Sequence, residues 1–358
     1  MVGILAMLVG LTALVTIHEF GHWIVARMFG MWTPVFAVGF GPRKYSLILG
    51  RFWDTEFRLS PIPLGGYVAI PELGDETNAE QAAAAFSDER RELRKFAIWK
   101  RTCVACAGVV MNILFAAVLL FGLYVGKGQP DPVAVGTFVS AVSDQVTVAR
   151  DAGLRANDVI LSVDGVSVID PQPLTKALSA KPGQPVVLHI RRASSELDVT
   201  VVPNAAGKIG IGIGVNQVMH FKHISIGDAA MRSVNVTVNG LGEISYAVLG
   251  ILHIVPAAAG VEPHSIVGIF QFGSDAWAAG AVQFITVLFS LSLNLAVFNI
   301  LPVPMLDGGY VLFFAIEKLR GKPLSADTEN RLKMMFMCAL LMLFFWGIVN
   351  DFRHPLGK

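Results

Sequence analysis

The sequence contains few charged residues. Only 15% of its 358 residues are Asp, Glu, Lys or Arg, and 54% are hydrophobic, whereas soluble globular proteins carry about 25% charged residues. The net charge is +1, from 28 basic and 27 acidic residues, which leaves no basic surplus for binding nucleic acid. Three cysteines are too few for a disulfide framework. These shortages argue against a soluble enzyme, a nucleic-acid-binding protein and a secreted disulfide scaffold, and they indicate a membrane protein.

Four apolar stretches are candidates for crossing a membrane as helices. A helix needs roughly 20 apolar residues to cross the hydrocarbon core, and the predicted spans are residues 1–29, 102–126, 276–306 and 334–350. The first lacks the basic start and the cleavage site of a signal peptide, so we expect it to remain as a span. A further charge-free stretch, 244–261, contains His253 and Pro256 and is interpreted as an interfacial helix with its loop.

The distribution of Lys and Arg predicts the orientation of these spans. Residues 27–101 carry eleven Lys and Arg, and residues 307–333 carry five. Short loops rich in Lys and Arg face the cytoplasm. We therefore expect both termini and residues 127–275 on the opposite, periplasmic side.

The segments between the spans are of two kinds. Residues 34–70 alternate like β structure, and residues 79–100 are charged and predicted to form an amphipathic helix at the interface. Residues 127–205 contain short alternating strands and turn signals. The predicted order is 1–29 helix, 30–101 cytoplasmic-side β-hairpin region and amphipathic helix, 102–126 helix, 127–205 β-rich domain, 206–275 interfacial helices and loop, 276–306 helix, 307–333 cytoplasmic loop, and 334–358 helix and tail.

The β-rich segment carries a recognisable pattern. Ala152-Gly153-Leu154, Asn157-Asp158-Val159-Ile160 and Val163-Asp164-Gly165 resemble bacterial PDZ domains, although Asn157 stands where that pattern usually has Gly. PDZ domains bind extended peptides by adding a strand to a sheet edge. A small β-rich spacer without a peptide pocket is the alternative.

The first span ends in a metal-binding pattern, His18-Glu19-Phe20-Gly21-His22. Residues four apart share one face of a helix, so both imidazoles can bind one zinc ion, and Glu19 can take a proton from metal-bound water. The alternative is two interfacial histidines with a solvated Glu. Because ionisable groups inside a span are costly and usually functional, the metal interpretation is favoured.

Asp307 is the predicted third ligand. A catalytic zinc site needs three protein ligands and an open position, and few other acids lie near the spans. With four spans, Asp307 and His18 both lie at cytoplasmic helix ends and at the same depth. A fifth span at 244–261 would place them on opposite faces. The alternative role of Asp307 is a helix-terminating Asp-Gly turn in water.

Two amides in the third apolar stretch, Asn294 and Asn299, need polar partners in a membrane. We expect them to face a polar cavity, although each can instead bond a neighbouring helix. Pro302 and Pro304 break the helix there and free backbone groups near the metal.

Taken together, these motifs resemble one known family. They are HExxH at 18–22, Gly39-Phe40-Gly41-Pro42, Pro63-Leu64-Gly65-Gly66-Tyr67, a PDZ-like insert and Asn294…Asn299…Pro302-Val303-Pro304…Leu306-Asp307-Gly308-Gly309. The chain resembles the site-2 protease family over nearly its whole length, and more closely the bacterial regulator of sigma-E protease (RseP) type. It departs from that type in having one PDZ-like insert where two are frequent, and Tyr310 where His is common.

The resemblance implies a fold and an activity. The fold is a membrane α-helical protein with four transmembrane helices, a cytoplasmic-side membrane-associated β-hairpin or sheet, and one periplasmic PDZ-like domain, in the bacterial inner membrane. The activity is that of an intramembrane zinc endopeptidase. Its substrates are single-pass membrane proteins already cut by another protease, such as anti-sigma factors or signal-peptide remnants.

The resemblance also assigns roles to residues. His18, His22 and Asp307 bind Zn²⁺, and Glu19 is the catalytic base. The β-hairpin offers an edge strand to the substrate, so the implied substrate-binding residues are Gly65, Gly66, Asn294 and Asn299.

Two other functions are weighed against this one. The first is a noncatalytic, metal-containing membrane scaffold that binds peptides; the intact HExxH argues against it, since a site without activity has no need of the base. The second is a metal transporter, which usually shows repeated halves and polar residues along several spans. This sequence has one polar cluster at one depth and no repeat.

Overall fold

The computed structural model describes residues 2–73, 93–143, 146–169, 171–251 and 266–353. Its contacts divide the chain into two compact units. The first unit combines Met1–Gly126 with Ser225–Lys358, and the second unit is Lys127–Ile224.

The elements found among the described residues are helices and short strands. The helices are α1 (Val2–Met28), α2 (Ile98–Lys127), α3 (Val148–Asp151), α4 (Pro171–Ala180), α5 (Ile226–Ile251), α6 (Ile266–Ala279), α7 (Ala281–Asn299), α8 (Asp307–Arg320) and α9 (Ala326–Arg353). The strands are β1 (Val35–Phe40), β2 (Leu47–Phe52), β3 (Thr55–Leu59), β4 (Ile62–Val68), β5 (Gln129–Val142), β6 (Val159–Val163), β7 (Val166–Ser167), β8 (Val186–Arg192), β9 (Ser195–Val201) and β10 (Ile211–Lys222).

Three helices of the described chain are long and apolar enough to cross a membrane: α1, α2 and α7. They overlap the predicted spans at 1–29, 102–126 and 276–306. The helical path is interrupted at Gly280, where φ is +121°, so residues 276–279 end α6 and the candidate span begins at Ala281. The predicted fourth span lies within α9, which is not among the three, and it stays a prediction.

One face of α1 is buried along the whole helix. The buried residues recur every three or four positions, at Gly3, Met7, Gly10, Leu14, His18, Gly21 and His22. The glycines bring the neighbouring helices close, since a Cβ at Gly21 would lie 2.5 Å from the carbonyl oxygen of Ala107 in α2. Small residues at such crossings are typical of membrane helices. The two histidines therefore lie at a close contact between α1 and α2.

The predicted β region over 34–70 forms a four-stranded sheet in the order β2-β3-β1-β4. β1 pairs in parallel with β3 and antiparallel with β4, and β2 pairs antiparallel with β3. Hydrogen bonds attach this sheet to α1. Among them, Trp23 Nε1–H donates to Thr55 Oγ1 at 2.9 Å, and Thr12 Oγ1–H donates to the Pro63 carbonyl at 2.6 Å. These bonds hold β4, at one edge of the sheet, beside α1.

Two predicted features fall mostly outside the described residues. An amphipathic helix is predicted over 79–100, but the structure does not describe residues 74–92. In the described part of this stretch, residues 93–97 are not helical and α2 begins at Ile98. Of the stretch 244–261, the described part continues α5 to Ile251. Neither prediction is tested over its full length.

The second unit is a six-stranded sheet in the order β10-β5-β6-β8-β9, with β7 pairing to β6. Its core is built from fully buried aliphatic side chains, among them Ile160, Leu174, Leu188 and Ile190. The unit extends past the predicted boundary at residue 205 because β10 pairs with β5 along nearly its full length. Asn157 has a φ of +71°, a left-handed conformation that Asn tolerates better than most residues. That backbone explains how Asn can replace the Gly of the PDZ pattern.

Candidate metal centre

Three ligand atoms from two helices converge in the first unit. Nε2 of His18 and Nε2 of His22 are 3.2 Å apart. Oδ2 of Asp307 lies 3.1 Å from the first and 3.3 Å from the second. No other group of three His, Cys, Asp or Glu side chains within the described ranges is arranged to hold one metal ion.

The local sequence positions Asp307 for this convergence. Asp307 is the first residue of α8 rather than the end of a helix, because the chain leaves α7 at Asn299 and turns before it. Gly308 and Gly309 follow it, and a Cβ at either would overlap carbonyl oxygens of the preceding loop, those of Ile300 and Val303 respectively. The two glycines therefore let the start of α8 pack against that loop and present the carboxylate to the histidines.

The chemistry of the three atoms fits a cation. Nδ1 of His22 lies 2.7 Å from the carbonyl oxygen of Val104, which can only accept, so Nδ1 carries the hydrogen and Nε2 presents a lone pair. Oδ2 of Asp307 is buried and receives no hydrogen bond from the described residues. Lone pairs this close repel one another unless a cation lies between them.

The separations also fit zinc. A tetrahedral ion with ligand bonds of about 2.0–2.1 Å holds its ligand atoms about 3.3 Å apart. The three observed separations are 3.1, 3.2 and 3.3 Å. Two imidazoles and one carboxylate leave one tetrahedral position open, which is the arrangement of catalytic rather than structural zinc sites.

Glu19 lies between the metal centre and the sheet. Its Oε2 accepts a hydrogen bond of 3.1 Å from the backbone N–H of Val68, at the end of β4. Glu19, His22 and Asp307 line one cavity of about 100 Å³ together with Tyr310. This space is large enough for a few water molecules beside the Glu19 carboxylate.

The remaining predicted site residues are placed at different distances from the centre. Asn299 reaches it, with Nδ2 3.3 Å from Nε2 of His18. Asn294 does not, because its Nδ2 donates to the Ser290 carbonyl one turn back in α7. Gly66 lies beside Glu19, since a Cβ there would be 3.8 Å from Cγ of Glu19. Gly65 is next to it in β4, packed against the ring of Phe40.

Three features of α2 at this site were not expected from the sequence. The carbonyl of Val104 contacts His22, the amide of Asn112 contacts His18, and a Cβ at Gly108 would overlap both imidazoles. Asn112 could have been found, because it is the one polar amide in a stretch otherwise suited to cross a membrane. A backbone carbonyl carries no such signal.

Known proteins are similar to this sequence along most of its length. Residues 6–344 match peptidase family M50. A Nostoc sp. protein named "Putative zinc metalloprotease all3971" is 31% identical over 374 residues, covering 97% of this chain and 95% of its own length. An Arabidopsis thaliana protein named "Membrane metalloprotease ARASP, chloroplastic" is 28% identical over 369 residues, covering 95% of this chain and 76% of its own length.

The chain therefore belongs to peptidase family M50, the site-2 protease family. The family predicted from the motifs is confirmed. Family and relatives together support a metalloprotease that works at a membrane and uses zinc.

Proposed function

We propose that this chain is an intramembrane zinc endopeptidase that cleaves transmembrane segments of single-pass membrane proteins. The observation that carries the proposal is the convergence of His18, His22 and Asp307 with Glu19 beside them. His18, His22 and Asp307 would hold the zinc ion. When bound, zinc supplies a Lewis acid that polarises the scissile carbonyl and makes an attacking water more acidic.

The protein side of the mechanism centres on Glu19. Its carboxylate accepts a proton from the attacking water and passes it to the leaving amide nitrogen as the C–N bond breaks. The Val68 N–H bond fixes Oε2, so the other carboxylate oxygen is left to exchange the proton. Asn299, which contacts His18, is proposed to donate a hydrogen bond to a substrate carbonyl near the metal.

The β4 strand is the proposed docking edge for the substrate. A transmembrane helix hides its carbonyls in its own hydrogen bonds, so it must unwind before hydrolysis. Ala69 N–H bonds to the Val35 carbonyl of β1, and alternation along a strand directs the Val68 N–H to the opposite edge, where Glu19 lies and where no described strand pairs with β4. Gly65 and Gly66 carry no side chains at this edge, so an unwound backbone can approach it. Asn294 is proposed to contribute farther along α7.

The organisation in the membrane follows the predicted topology. We propose four spans, with α9 supplying the fourth, in a bacterial inner membrane, and an active site near the cytoplasmic side. The β-rich unit is proposed to be a periplasmic PDZ-like domain that favours substrates already cut by another protease. This arrangement is the regulator of sigma-E protease type.

The test is cleavage of a single-span substrate by the purified full-length chain in detergent, with products identified by mass spectrometry. We expect cuts inside the apolar segment, inhibition by 1,10-phenanthroline and recovery on adding zinc. Cleavage only outside that segment, or cleavage indifferent to the chelator, would contradict the proposal. Tight binding of the substrate without any cleavage would instead support the noncatalytic scaffold.

A further inference from the structure

Asn112 lies in the middle of α2 and is completely buried. Its Nδ2 is 3.1 Å from Nδ1 of His18, and its Oδ1 is buried with no hydrogen-bond partner among the described residues. A buried amide in a membrane helix is unfavourable without partners and usually has a function. The contact with His18 is therefore informative.

The hydrogen on His18 decides which amide atom belongs at this contact. Nε2 of His18 faces His22 and Asp307, so Nε2 is the atom that offers a lone pair to the metal. A neutral imidazole then carries its hydrogen on Nδ1. An N–H group at Nδ1 requires an acceptor, and an amide NH₂ is not one. A 180° rotation about the Cβ–Cγ bond of Asn112 exchanges Nδ2 and Oδ1.

We infer that Asn112 is a positioning residue whose Oδ1 accepts the His18 Nδ1–H hydrogen bond and thereby keeps the Nε2 lone pair directed at the metal. This inference rests on the proposed zinc site and adds to it a role for α2. The Val104 carbonyl does the same for His22. Carbonyl or carboxylate partners of this kind set the tautomer and the ring orientation of metal-binding histidines.

The placement along α2 supports the inference. Val104, Gly108 and Asn112 are spaced four residues apart, so they lie on one face of the helix, one turn after another. Gly108 leaves the space in which the two imidazoles sit. Ser292 Oγ–H of α7 donates to the backbone carbonyl of Asn112 at 2.8 Å, and this bond connects α2 to α7 beside the site. One face of α2 thus contacts both histidines: the Val104 carbonyl contacts His22, and the Asn112 amide contacts His18.

The test measures zinc affinity in the detergent-solubilised, full-length apo protein by competition with a chromophoric chelator. Asn112→Leu keeps the branching at Cγ and removes the acceptor. Asn112→Asp keeps an acceptor and removes the NH₂ group. Ser292→Ala is the matched control, since it removes a neighbouring hydrogen bond but leaves the amide side chain in place. Thermal unfolding of each apo protein reports whether the fold is retained.

We expect Asn112→Leu to weaken zinc binding by about 10- to 100-fold, as loss of such partners does elsewhere. Asn112→Asp and Ser292→Ala should stay within about threefold of wild type. Wild-type affinity in Asn112→Leu would overturn the inference, as would an Asn112→Asp variant that loses at least tenfold. If Asn112→Leu does not fold, Asn112→Asp decides alone, because it keeps an acceptor and loses the donor. A wild-type chain that binds no zinc would refute the proposed function itself.

Discussion

The Val68 backbone N–H donates a 3.1 Å hydrogen bond to Oε2 of Glu19. This bond joins the HExxH helix to the end of an edge strand, so the proposed base and the proposed substrate edge are positioned together. Glu19 also borders the cavity that reaches His22 and Asp307. The base therefore lies between the edge where a peptide would dock and the atoms that would hold zinc.

Replacing Asp307 with Asn should remove zinc from the site. The change keeps the shape of the side chain but removes the charge of a proposed ligand whose Oδ2 lies within 3.3 Å of Nε2 of both histidines. Loss of a hydrogen-bond partner of a metal ligand typically weakens metal binding by about 10- to 100-fold. We expect loss of the Asp307 carboxylate itself to weaken zinc binding by more than this. Metal content after dialysis against a weak chelator measures this. Full zinc occupancy in the variant would show that Asp307 is not a ligand.

Gly108→Ala should disturb the site by steric overlap alone. The added Cβ would overlap the His18 and His22 imidazoles, so they must move, and we expect zinc affinity to fall at least about tenfold. Gly122→Ala is the matched control on the same helix, because nothing lies within 4 Å of the Cβ it adds. Zinc titration of both variants distinguishes them. Equal affinity in the two would contradict the packing described here.

Gly66→Ala should separate substrate docking from metal binding. A Cβ there would lie 2.7 Å from the Ala37 carbonyl of β1, so β4 must shift beside Glu19. We expect kcat/KM to fall by about tenfold or more, since misplacing a substrate by about 1 Å has larger effects than this. Zinc content should remain at the wild-type value. A variant that loses zinc as well would place Gly66 in the support of the metal centre instead.

In the second unit, the Asp158 carboxylate makes stability depend on pH. It accepts two hydrogen bonds of 2.7 Å from Arg192 and one of 2.8 Å from the Arg155 N–H. Burial opposes ionisation of Asp158, but these bonds outweigh it and lower its pKa below the ordinary value of 3.8. Because the pKa is lower in the folded state, the stabilisation is complete above that ordinary value and is lost as the pH falls through the folded value.

Asp158→Ala should therefore destabilise this unit at neutral pH by about 2 kcal/mol. Hydrogen exchange at the Ile160 and Ile190 amides in the full-length protein should then be about 30-fold faster. The control is Asp198→Ala, whose side chain is 66% exposed beside His189, and which should change stability by less than about 0.5 kcal/mol. Comparable exchange in the two variants would mean that the Asp158 pair contributes nothing.

The convergence of residues in the candidate metal centre was largely predictable from the sequence, for identifiable reasons. The spacing of His18 and His22 specifies one helix face, and Asp307 followed from matching the depth of helix ends. Asn112 was missed, although the argument that a buried amide in a membrane needs polar partners applies to it as well as to Asn294 and Asn299. Of the latter two, only Asn299 contacts the candidate centre. The Val104 carbonyl was beyond prediction, because every residue has one.

The fold shows the same division. Apolar length predicted α1, α2 and α7, and alternation predicted strands over 34–70. The order of the strands could not be predicted from the sequence, because the alternation of side chains is the same for any pairing. Strands adjacent in sequence suggest a simple hairpin, whereas β1 pairs in parallel with β3. The end of the second unit was likewise missed, because β10 pairs with β5 from far along the chain. Long-range pairing is decided by packing that local patterns do not record.

The most direct test of the central claim compares wild type with Glu19→Gln on a single-span substrate, with zinc content measured on the same samples. Glu19 is proposed to move the proton and not to bind the metal. We expect equal zinc in both proteins and cleavage reduced by at least about 100-fold in the variant, as for loss of a general base. Equal zinc with equal cleavage would contradict the account, because hydrolysis would then proceed without the residue assigned as its base.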